Sequence, residues 1–106
     1  MRNRFMRMIL FFDLPVTTAA NRKDYRHFRR FLLKEGYLML QESVYSKLVL
    51  NPTNANLAAE KVKKNRPPSG LVQLLIITEK QYASIENICG NLKSTQLDSM
   101  DRLVIL

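Results

Sequence analysis

The chain has 106 residues, 46% hydrophobic and 25% charged, which sets a single globular domain, residues 1–106, as the expectation and excludes a disordered chain. Lys and Arg number 17 against 9 Asp and Glu, a formal charge of +8, and that balance points to a polyanionic partner, usually nucleic acid. No apolar run reaches the roughly 20 residues of a membrane span, and the lone Cys89 cannot form an internal disulfide, so a reducing, cytoplasmic setting without a membrane partner is expected.

The first element is a strand over about Phe5 to Phe12. Phe5, Ile9 and Phe11 alternate with Met6, Met8, Leu10 and Phe12, so both faces are apolar, as in a central strand covered on both sides. The run is too short for a secretory signal and stops at Asp13, not at a small-residue cleavage site. Pro15 then forces the chain out, and Thr17 or Thr18 can cap the helix that follows. That helix runs to about Glu35, with Gly36 as its stop. Tyr25, Phe28, Phe31 and Leu32 recur at helical spacing. Arg22, Arg26, Arg29 and Arg30 lie on the other side, flanked by Lys23 and Lys34, although Leu33 interrupts the basic face.

Two strand-like runs follow, Tyr37 to Leu40 and Ser43 to Leu50. Gln41 and Glu42 form either a turn between them or a bulge in one bent strand. "NPTNAN" leads into a second helix over about Asn54 to Lys64, and "NRPPSG" breaks it. "LVQLLIIT", Leu71 to Thr78, is a second strand apolar on both faces. Glu79 to Asn87 suits a short third helix, Asn91 to Asp101 a loop, and Arg102 to Leu106 a final strand. The order β-α-β-β-α-β, with an extra short helix and a tail strand, is the ferredoxin-like α+β plan. Both main helices then cover one face of the sheet. The other face, apolar too, predicts a face-to-face homodimer.

The residues support two readings of Asp13. One is a turn aspartate bonding a backbone N–H near Pro15. The other is a metal ligand: across a two-fold axis near the first strand, two copies of Asp13 can share one Mg²⁺, which can activate water against a phosphodiester.

"MRMILFFDLP", the basic helix, "QESVYSKLVL", "LVQLLIITEKQY" and "DRLVIL" together resemble the CRISPR-associated protein 2 family over essentially the whole chain, most like members from type II systems. The resemblance implies a ferredoxin-like homodimer that serves CRISPR adaptation, or spacer acquisition. Such a dimer bridges dimers of the CRISPR integrase and holds the duplex DNA to be inserted. It implies that Asp13 is the metal ligand and catalytic residue of an endonuclease activity, dispensable for adaptation. It also implies that "RLVIL", within about 101–106, adds to the partner subunit's sheet. The resemblance and the charge together favour Arg22, Lys23, Arg26, Arg29, Arg30 and Lys34 as a phosphate track over a solvated face.

The remaining candidates have plainer readings. Ser43, Tyr45 and Ser46 lack a neighbouring base in sequence and suit structural hydrogen bonding. His27, amid arginines, suits solvent or a phosphate rather than a metal. Glu42, Glu79 and Asp101 suit surface ion pairs, and Cys89 a small core position. The alternative function is an RNA-binding module or endoribonuclease on the same fold. An RNA-recognition motif needs stacking aromatics on a sheet strand, however, and "SVYSKLVL" offers only Tyr45.

Overall fold

The computed structural model describes residues 5–90. The expected loop from Asn91 to Asp101 and the strand from Arg102 to Leu106 lie outside them. The described elements are β1 (Met6–Asp13), α1 (Ala19–Lys34), β2 (Leu38–Gln41), β3 (Val44–Val49), α2 (Pro52–Lys64), β4 (Leu71–Thr78) and α3 (Glu79–Ala83). The four strands form one antiparallel sheet in the order β2-β3-β1-β4, which is the ferredoxin-like arrangement. As its two apolar faces predict, β1 is central. It pairs with β3 on one side and with β4 on the other, in a register that places Asp13 opposite Leu71 and Met6 opposite Thr78.

The strand period of two divides β1 cleanly. Met8, Leu10 and Phe12 turn toward the helices and are buried. They join Phe28 and Leu32 of α1, Tyr45 of β3 and Val62 and Ala55 of α2 in the core. Arg7, Ile9, Phe11 and Asp13 turn to the other face. There Phe5 (43%), Phe11 (39%), Leu48 (45%), Leu71 (56%) and Leu75 (50%) stay exposed, an apolar surface larger than isolated hydrophobic side chains account for. Across that face, at the end of β1 away from Asp13, Arg7 donates two hydrogen bonds of 2.7 Å to Glu79 and lies 4.1 Å from the Tyr82 ring centroid. These bonds seat α3.

Local chemistry sets the boundaries. Thr18 and Asn21 form a reciprocal capping box at the start of α1, satisfying two backbone donors. α2 begins at Pro52, two residues before the expected Asn54. Asn51 caps it by accepting from the Asn54 N–H at 2.8 Å, and Pro52 in the first turn has no N–H to leave unpaired. α3 is shorter than the expected Glu79 to Asn87. Tyr82 is its one buried anchor, while Ile85 and Ile88 are 62% and 84% exposed, so burial does not sustain further turns. The β2–β3 junction is a turn between two antiparallel strands, one residue later than the expected Gln41–Glu42, and not a bulge in one bent strand. Glu42 and Ser43 make the turn, Ser43 with φ of 63°, and the register shifts between Met39 and Gln41.

Tyr37 is buried beneath the end of α1, and its hydroxyl has no hydrogen-bond partner among the described residues. Burial, with the Glu35 carboxylate adding to it, pushes the phenol up to about 12. The folded state therefore holds the phenolic proton more tightly than the unfolded chain does. The resulting stability is complete below pH 10 and is lost as the pH rises from 10 toward 12. Tyr37→Phe should fold at pH 7 within about 1 kcal/mol of the parent, because no paired hydroxyl is removed. It should also lack that alkaline loss. Urea melts of both proteins at about pH 7 and about pH 11, either side of the ordinary tyrosine value, check this. An equal loss of stability in both would refute it.

Candidate functional site

Asp13 is the last residue of the central strand, exposed on the apolar face. It lines an open hollow with Phe11, Ser43, Glu42 and Gln73. Phe12, one residue earlier, anchors this end of β1. Its ring meets Phe28 edge-on at 5.2 Å, stacks on Tyr45 at 5.6 Å and meets Tyr25 at 6.0 Å. The Phe12 N–H donates to the Ser43 carbonyl at 3.1 Å, tying the β2–β3 turn to the strand that carries Asp13. From the other side the Tyr25 hydroxyl donates to Glu42 at 3.1 Å.

The turn reading of Asp13 finds no hydrogen bond among the described residues to support it. An aspartate turn accepts from the N–H two residues on, and that residue is Pro15, which has none. Among the described residues the Asp13 side chain takes part in no hydrogen bond or ion pair. Its oxygens are free to meet solvent or a cation, and carboxylate oxygens suit a hard ion such as Mg²⁺. No group of three or more His, Cys, Asp or Glu suited to a metal exists among the described residues. Among the described residues, Asp13 and Glu42 are the carboxylates that line the hollow, fewer donors than a hard ion usually takes from a protein.

The basic residues of α1 divide into two rows. At about 100° per residue, Lys23, Arg30 and Lys34 lie opposite Phe28 and Leu32, with Arg26 beside them. All four are exposed. Arg22 and Arg29 are exposed too, on the flank nearer the packed side, and each meets a neighbouring group of the fold. Arg22 donates to the carbonyls of Val16 and Thr17 at 3.1 Å. Arg29 hydrogen-bonds the hydroxyl of Tyr45, a phenol that burial pushes up and that Arg29 partly holds down. Tyr45 is therefore a core residue under α1. Ser46 is buried on the other face, its hydroxyl unpartnered among the described residues. His27 is exposed on the basic helix. Cys89, expected in the core, is exposed instead, because α3 ends before it and the stretch from Ala83 to Gly90 stays at the surface.

The family model described as CRISPR associated protein Cas2 matches residues 6–85. The chain belongs to the Cas2 family. A curated relative from Treponema denticola, named CRISPR-associated endoribonuclease Cas2, is 54% identical and covers 95% of this chain and 100% of the relative. A relative of the same name from Streptococcus mutans is 48% identical, covering 95% and 93%. A solved structure described as "Crystal structure of cas2" superposes with a TM-score of 0.59 at 18% identity, over 85% of this chain and 92% of that one, which shows the shared fold. The Cas2 match spans β1 through α3 and includes Asp13. Among the described residues no helix is long and apolar enough to cross a membrane.

One residue that positions the Cas2 candidate site does not stand out in the sequence. Gly70 sits just before β4 with φ of +96°, and a Cβ there would come within 2.7 Å of Leu14 Cδ2 and 2.8 Å of the Asp13 carbonyl oxygen. Only glycine lets β4 begin this close to the end of β1. The "PPSG" breaker signals a turn but not this close approach. Gly70→Ala should cost about 1–3 kcal/mol through backbone strain and the clash. A melt indistinguishable from the parent's would remove Gly70 from the site's support.

Proposed function

We propose that this Cas2 protein acts in CRISPR adaptation as a cytoplasmic face-to-face homodimer, with a metal-dependent phosphodiesterase site where its two Asp13 residues meet. The dimer bridges dimers of the CRISPR integrase and holds duplex DNA on its helix layer. The observation that carries this reading is the position of Asp13. It ends the central strand on the sheet's uncovered apolar face, with its carboxylate uncommitted, so covering that face with a second copy pairs the two aspartates.

The chain's own residues have separate tasks. The apolar side chains of the open face exclude water from the seam. Phe12 and Gly70 fix the end of β1. Asp13 from each subunit would hold Mg²⁺, which would supply Lewis-acid polarisation of a phosphoryl oxygen. On the opposite layer, Lys23, Arg26, Arg30 and Lys34 face phosphates, flanked by the exposed Arg22 and Arg29. The span from Lys23 to Lys34 is about 16 Å at about 1.5 Å per residue, several phosphates along a duplex. With no groove-reading element, these residues position DNA without reading sequence.

RNA is the second reading of the cleaved substrate, favoured by the relatives' names as endoribonucleases. Base stacking in the manner of an RNA-recognition motif has less support. Tyr45 is buried, and β3 offers no aromatic on the open face.

Three outcomes are expected. Light scattering at micromolar concentration should give twice the chain mass, and a monomer would dissolve the shared site. Cleavage of RNA and duplex DNA, assayed side by side with Mg²⁺ and with chelator, should fall to the metal-free background in Asp13→Ala while the melting curve shows an intact fold. Surviving cleavage would move the chemistry elsewhere. Duplex affinity should fall with salt at about −0.9 in log–log slope per phosphate neutralised. Reversing Arg26 and Arg30 to Glu should weaken two unrelated duplexes alike and flatten that slope, and an unchanged slope would leave α1 a solvated face.

A further inference from the structure

The strand directions bring a second set of cations toward the Asp13 end of the molecule. β1 ends there at Asp13, and α1 starts from there. β3 runs away from it toward Val49, opposite Met6. α2 therefore returns toward it, and β4 starts there with Leu71 opposite Asp13. The loop 65–70 thus leads from the last turn of α2, whose Lys61 still reaches Glu35 at the far end of α1, to Gly70 at the Asp13 end. That turn carries Lys61, Lys63 and Lys64, with Arg66 just beyond. Two of these cations are committed to acids: Lys61 to Glu35 at 3.2 Å and Lys63 to Glu60 at 3.0 Å. Lys64 is exposed and has no partner among the described residues. Arg66 is exposed and spends one nitrogen on the Lys63 carbonyl at 3.3 Å, leaving most of its donor fork open. Arg66 stands four positions before Gly70, which abuts the Asp13 backbone. At no more than about 3.6 Å per residue, Arg66 lies within about 14 Å of that close approach along the chain.

We infer that Lys64 and Arg66 form a phosphate clamp for the nucleic-acid strand cut at Asp13, gripping its backbone where it passes over the rim of the sheet onto the helix layer. The inference rests on the nuclease reading of Asp13 and goes beyond it by naming where the cut strand is held. The clamp is distinct from the duplex track on α1. Lys23, Arg26, Arg30 and Lys34 extend along α1, whereas Lys64 and Arg66 lie where the chain leaves α2 for Gly70. The plainer role for cations in a last helical turn is to complement the helix dipole. That role predicts lower stability on neutralisation and no change in substrate binding.

The test uses the full-length protein and a fluorescein-labelled single-stranded RNA of about six nucleotides, within the range of a single-strand site and too short to run the length of α1. Lys64→Gln/Arg66→Gln should bind it about five- to twentyfold more weakly in fluorescence anisotropy. The double variant should lower the salt slope by about 0.7 for each phosphate it no longer neutralises. It should keep its melting temperature and raise KM by the same factor with kcat largely retained. Lys80→Gln removes a charge at the opposite end of the sheet, beyond the Met6–Thr78 pair, and should leave this short strand's affinity within about twofold. Binding is also measured in an Asp13→Ala background, so the clamp is tested whether or not the parent cleaves. Failure of the parent to cleave overturns the nuclease reading and, with it, the clamp's part in cutting. Unchanged oligonucleotide affinity in Lys64→Gln/Arg66→Gln, or an equal weakening in the Lys80 control, overturns the clamp itself.

Discussion

The packing of Phe12 governs the arrangement on which the candidate site depends. Its ring lies among three others, from two positions on α1 and one on β3, and such edge and stacked arrangements add to the stabilisation from burial alone. With Phe12 pinned into the helix side, the strand period sends Asp13 to the opposite face. A one-residue slip of β1 would put a charge into the core and a phenylalanine into solvent, so the register is strongly enforced. Gly70 completes the constraint by letting β4 start against the Asp13 backbone.

The two layers of the fold carry opposite surface chemistry. The helix layer is cationic on its outside, and the sheet's open face is largely apolar, with Asp13, Ser46, Gln73 and the Arg7–Glu79 pair as its polar groups. A polyanion and a second copy of the chain can therefore occupy opposite sides without competing. That separation follows from the sheet being one layer thick. Every residue of β1 points either to the helices or away from them, so core and interface are drawn from alternating positions of the same strand.

Much of this is legible in the sequence. The two-sided apolar run from Met6 places β1 at the centre of the sheet. Thr18 and Gly36 bound α1, and "LVQLLIIT" matches β4 to the residue. These features rest on interactions between near neighbours, so composition and period carry them. Glu79 reads as half of an ion pair, and it forms one with Arg7. Its partner, 72 residues away, is not readable, because sequence distance hides which strand end lies beneath α3.

The family resemblance, the ferredoxin-like order and the aspartate at the end of the first strand follow from local pattern alone. The tertiary structure decided what local pattern leaves open. Arg22 and Arg29 look identical to Arg26 and Arg30 in the sequence, and all four are exposed, yet only the first pair reaches partners, the Val16 and Thr17 carbonyls and the Tyr45 hydroxyl, which the fold brings alongside. Cys89 reads as a small apolar residue but lies outside the core, because α3 ends once Tyr82 is buried. Gly70 reads as a loop glycine, yet its requirement comes from the distant Asp13–Leu14 backbone, which only the paired strands bring alongside. The meeting of Gly70, the β2–β3 turn and Asp13 at one end has the same origin. The order of the elements is written in the chain, while the antiparallel pairing decides which ends share a rim.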